Sequence, residues 1–92
     1  MTIRQRFEKQ LNELREDVLK MGSMVEEELD LAMGALETLD SARARQVFAF
    51  DNQINAARFD IEEKCFALIV TQQPAARDLR AIVTVMNMII DL

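Results

Sequence analysis

Apolar side chains return at one fixed interval through the first 39 residues. Ile3, Phe7, Leu11, Leu14, Val18, Met21, Val25, Leu29, Ala32, Leu36 and Leu39 stand about 3.6 residues apart on average, the period of an α-helix. At about 100° per residue they lie within about 40° of one line. The stripe predicts a single amphipathic helix over 3–39, about 55 Å long at 1.5 Å per residue. A period of 3.6 rather than 3.5 predicts a straight helix rather than a heptad coiled coil. Gly22 lies near the stripe edge, where it either admits a neighbouring backbone or is simply tolerated. Gly34 faces away and only weakens the helix.

A long helix with one apolar stripe needs a partner. Asp40 or Ser41 is the expected N-cap of a second helix, and so short a connection makes the two antiparallel. The second helix is expected over 41–72, with Val47, Phe50, Ile54, Ala57, Ile61, Cys65 and Leu68 in its seam and Ile69 beside it. Cys65 reads as an inert core thiol. Pro74 ends this helix and suits the first position of a third. Ala75, Leu79, Ile82, Val83, Met86, Ile89 and Ile90 then repeat at helical spacing, and Asp78 complements the positive end of the helix dipole. This third helix, 74–92, covers about 28 Å, half of the hairpin. Its last residues, Met88 to Leu92, carry no stop signal. The expectation is an all-α antiparallel three-helix bundle over residues 1–92 with a truncated third helix: either the chain is a fragment, or the bare half of the hairpin is covered by another chain. A homo-oligomer is expected for that reason.

Composition excludes several chemistries. The chain has no His and one Cys, so a Ser-His-Asp system, a Cys/His zinc site and an intrachain disulfide cannot be built. With His absent, no general base of the usual pKa is available, and a non-enzymatic role is expected. Gly and Pro number 2 and 1, too few to punctuate a turn-rich β fold. A net charge of −5 argues against nucleic acid. The longest apolar run, Cys65 to Val70, is far short of a membrane span. The first residues lack a signal-peptide core. A cytoplasmic protein, not embedded in a membrane, is expected.

What remains for a site is oxygen. Asp51, Asn55, Arg58 and Glu62 form a polar strip along one edge of the second seam. Asp51 and Asn55, one turn apart, can face one hard cation; the same spacing makes ordinary surface pairs such as Arg58 with Glu62. Two oxygens from one helix are too few, so a second helix must supply more. Glu26, Glu27, Glu28 and Asp30 point around the first helix and read as a solvated acidic face. Met24 and Met33 lie off the stripe centre and suit an adaptable contact surface.

These residues, taken in order, resemble the PhoU family. Phe7, Leu11 and Leu14, then Met21-Gly22 with Val25-Glu26 and Ala32, open like its repeat. Asp51-Asn52-Gln53-Ile54-Asn55 and Ile61-Glu62 with Cys65 continue it. The most specific block is Gln72-Gln73-Pro74-Ala75-Ala76-Arg77-Asp78-Leu79-Arg80, similar to the family's QQPxAxDLR entrance to the third helix. Asp91-Leu92 looks like the first half of its DLER motif. The resemblance implies a protein built from two three-helix bundles. It implies a regulator of phosphate uptake and phosphate-starvation signalling, an adaptor between a phosphate ABC transporter ATPase and a sensor histidine kinase. Some members bind iron or another divalent metal through acidic motifs on two helices. Asp51 matches the first acidic position of the helix-two motif; Asn55 stands at the second, where many members have Asp, and carries no charge. The helix-three motif would follow Leu92, so a metal is expected only if that helix continues. Gln73, Pro74, Asp78, Arg80 and Asp91 carry over as architectural or partner-contact positions.

Overall fold

The computed structural model describes residues 2–72 and 76–91. Three α-helices run in order: α1 (Ile3–Thr38), α2 (Ser41–Gln72) and α3 (Ala76–Asp91). The molecule measures 54 × 19 × 16 Å, its long axis matching the length read from the first stripe.

Each helix start has a local cause. Thr2 caps α1 in a capping box: its Oγ1 accepts from the Gln5 amide at 3.1 Å, and its own amide donates to Gln5 Oε1 at 2.9 Å. Two donors that the helix leaves unpaired are thereby satisfied. Asp40 caps α2, with Oδ1 accepting from the amides of Ala42 at 2.9 Å and Arg43 at 3.4 Å. Between them α1 stops one residue earlier than its stripe. Leu39 adopts a left-handed conformation, φ 51°, and the Asp40 amide donates back to the Ala35 carbonyl at 3.2 Å. This is a Schellman-type ending, with leucine where glycine is usual.

α1 and α2 pack antiparallel, and α3 closes the open end of the hairpin. The core joins Phe7, Leu11, Leu14, Val18 and Met21 of α1, Ile54, Ile61, Cys65 and Leu68 of α2, and Ile82, Val85 and Ile89 of α3. Lys64 ties the seam from outside, 3.0 Å from both Asp17 on α1 and Asp60 on its own helix.

The structure corrects the sequence reading on α3 and settles points that the sequence left open on α1. On α3 the inner residues are Ile82, Val85 and Ile89, while Leu79, Val83 and Ile90 are exposed. The apolar arc of α3 is wider than one groove can bury, and the helix turns Val85 inward and one flank outward. On α1 the stripe is covered only in part, as the short third helix predicts: Leu29, Leu36 and Leu39 are exposed on the half of the hairpin that α3 does not reach, and Ile3 is exposed at the start of the helix. At the hairpin tip an apolar hollow of about 440 Å³ opens between Ala32, Leu36, Leu39, Val47 and Phe48. Gly22, finally, has nothing within 4 Å of where a Cβ would stand, so it marks no close approach. Of the two off-centre methionines, Met24 packs on the core and Met33 stays exposed.

Candidate functional site

The polar strip of α2 meets α1 at one point. Asp51 and Asn55 share a face one turn apart, and Asn55 Nδ2 donates to Asp51 Oδ2 at 3.5 Å. Across the seam stands Glu28 of α1. Burial raises the Glu28 carboxyl above its ordinary value, and the hydrogen bond and charge of Asp51 raise it further.

Chemically, the cluster offers hard oxygen donors: two carboxylates and one amide. That suits a divalent cation in kind. It falls short in number, since such ions take about six or more oxygens. Among the described residues no three Cys, Asp or Glu side chains converge. One turn beyond Asn55, Arg58 adds positive charge. Its Nε is buried with no hydrogen-bond partner among the described residues; the Arg58–Glu62 pair that spacing permits is not formed among them.

The second group of expected residues lies at the other end of the hairpin. Gln73 and Pro74 fall outside the described residues. Asp78 sits in the first turn of α3 and pairs with Arg4 Nη1 at 2.5 Å. Arg4 also holds Glu8 at 3.0 Å and lies over the Phe7 ring, 5.7 Å from its centroid. Asp78 first, then Glu8, raises the affinity of the guanidinium for its proton. Arg80 is exposed, and its carbonyl accepts from Thr84 Oγ1 at 2.9 Å. Asp91 is the last residue of α3. Arg4 and Glu28 are 24 positions apart on one helix, about 36 Å at 1.5 Å per residue. The two groups are therefore separate and cannot act on one small ligand.

Two residues at these places were not singled out from the sequence. Glu28 was read with its acidic neighbours as solvated. Its signal was angular: it lies about 60° from the stripe line at 100° per residue, while Glu26 and Glu27 lie about 100° and 160° away. Arg4 had no signal, because its partner is 74 residues distant. Cys65 is buried and its thiol is pushed up, first by burial and then by the charge of Glu62. It stays protonated, without the cation that activates a nucleophilic cysteine.

The sequence profile of the PhoU domain matches residues 18–92. The chain belongs to the PhoU family. It is 40% identical over 90 residues to the phosphate-specific transport system accessory protein PhoU homolog of Pseudomonas aeruginosa, covering 98% of this chain and 37% of that protein. It is 35% identical over 86 residues to the accessory protein PhoU of Escherichia coli, covering 94% and 36%. The PhoU homolog 1 of Thermotoga maritima is 37% identical over 86 residues, covering 94% and 37%. The chain thus spans little more than a third of the length of these curated relatives. No solved structure matches it. No helix among the described residues is long and apolar enough to cross a membrane.

Proposed function

We propose that this PhoU domain serves the regulation of phosphate uptake and phosphate-starvation signalling, in the cytoplasm, as a non-enzymatic adaptor between a phosphate transporter ATPase and a sensor histidine kinase. The observation that carries the reading is the match at 40% identity over 90 residues to a phosphate-specific transport system accessory protein. The chemistry agrees. With no His in the chain and Cys65 inert, the surfaces are what it has to offer. The test is in cells lacking their own accessory protein, with a phosphate-starvation promoter driving a fluorescent reporter. Expression of the chain lowers reporter output in phosphate-rich medium. Unchanged output, where the full-length Escherichia coli relative restores repression, contradicts the proposal for this chain.

Within that reading, Glu28, Asp51 and Asn55 are proposed as one side of a divalent cation site, iron included, completed by oxygen ligands from a further helix. The cation would neutralise the negative charges that Glu28 and Asp51 bring together. Addition of Mn²⁺ to the chain then broadens the NMR signals of these three residues, and Asp51→Ala abolishes the effect. Equal broadening at Glu26 and Glu27 would mean only a screened acidic face.

A second reading is an oligomerisation module without metal or signalling role. The bare hairpin tip favours it, since Leu36, Leu39 and Phe48 are each more than two-thirds exposed. Sedimentation at several concentrations decides: a monomer throughout removes this reading.

A further inference from the structure

α2 is apolar on two opposite faces. One is the core seam. On the other stand Phe59, Phe66 and Val70, 61%, 66% and 58% exposed. Their spacing of 7 and 4 residues places them within about 20° of one line at 100° per residue. The outward flank of α3 has the same character: Leu79, Val83 and Ile90 share the side of Met86, within about 60° of it by the same count. The two stripes come together at one point. Phe66 and Met86 line one open groove of about 620 Å³, with Ala67, Glu62 and Glu63.

An apolar groove between two helices, with anchors one and two turns apart, has the shape that receives the apolar face of a third helix. The charges beside it select which helix. From Asn52 to Val70, the only charged residues within about 60° of the Phe59 line are Glu62 and Glu63. Both are acidic, in a chain of net charge −5. A second copy docked by two-fold symmetry would set this acidic rim against itself. An anionic lipid surface or nucleic acid would be repelled. We propose that the groove between α2 and α3 docks an amphipathic helix of a partner protein, one that carries Lys or Arg beside its apolar face. The inference rests on this surface alone and is independent of the phosphate-signalling reading.

The test uses the full 92-residue chain and two synthetic helical peptides of about 18 residues, about five turns. Both present the same Leu face; one is flanked by Lys, the other by Glu. Fluorescence anisotropy shows the Lys peptide binding at least about tenfold more tightly, a preference that salt reduces. The double variant Phe59→Gln/Phe66→Gln abolishes binding of the Lys peptide with helix content unchanged by circular dichroism. Glu62→Gln/Glu63→Gln removes the preference and keeps residual binding. Equal affinity for both peptides, no binding of either, or binding that survives the Phe substitutions overturns the proposal. So does a concentration-dependent dimer of the free chain that Phe66→Gln dissolves, since a second copy would then be the occupant.

Discussion

Leu39 is the one described non-glycine residue with positive φ, and its side chain is 86% exposed. It accepts the strain of a left-handed turn and buries nothing in return. A left-handed conformation costs an L-residue about 1–2 kcal/mol, part of which a glycine returns through greater freedom when unfolded. Leu39→Gly therefore raises stability by up to about 1 kcal/mol, readable as a shift of the urea midpoint at constant slope. Glu28 makes a pH prediction. Its pKa is raised on folding, so the folded chain holds the proton more tightly than the unfolded one. The penalty for ionising Glu28 is in force above its folded pKa and fades as pH falls toward the ordinary value of 4.5. Glu28→Gln accordingly raises the melting temperature at pH 7, and its advantage disappears below that ordinary value. A lower melting temperature at pH 7 would mean that Glu28 is held charged by a partner other than Asp51.

Among the elements, α3 tests the packing most sharply. Val83 and Val85 are near neighbours of one residue type with opposite roles: 43% exposed and 2% exposed. Val85→Ala should cost about 1–2 kcal/mol in chemical denaturation, as loss of two buried methyl groups does; Val83→Ala should cost less than about 0.5 kcal/mol. Equal costs would mean that α3 is rotated on the hairpin. Gly22→Ala in α1, with open space for the new methyl group, should stabilise by about 0.5–1 kcal/mol. The elements were legible in the sequence because period and breaks agree: a 3.6-residue stripe, Asp40 as a cap, Pro74 beyond α2. The choice between Val83 and Val85 was not. Ile82, Val85, Met86, Ile89 and Ile90 form one broad apolar arc, and tertiary packing alone decides which part faces in. The outer Phe59–Phe66–Val70 line on α2 did have a periodic signal, but a helix with two apolar faces hides each behind the other.

At the scale of the molecule, 92 residues make a long hairpin closed by α3 at one end and open at the other. Asp51 and Asn55 were identifiable as a pair because they share a helix. Glu28 and Arg4 were not, because their partners lie on other helices and periodicity carries no information about pairing across a fold. Polar groups at opposite ends of the hairpin and exposed apolar lines along it describe a scaffold for contacts, and this is the physical core of the adaptor proposal. The direct measurement is co-purification of the tagged chain with the phosphate transporter ATPase and, separately, with the cytoplasmic part of the sensor histidine kinase, beside the full-length Escherichia coli relative. The account predicts that at least one of the two is retained by the chain. Retention of both by the full-length relative and of neither by the chain would contradict it.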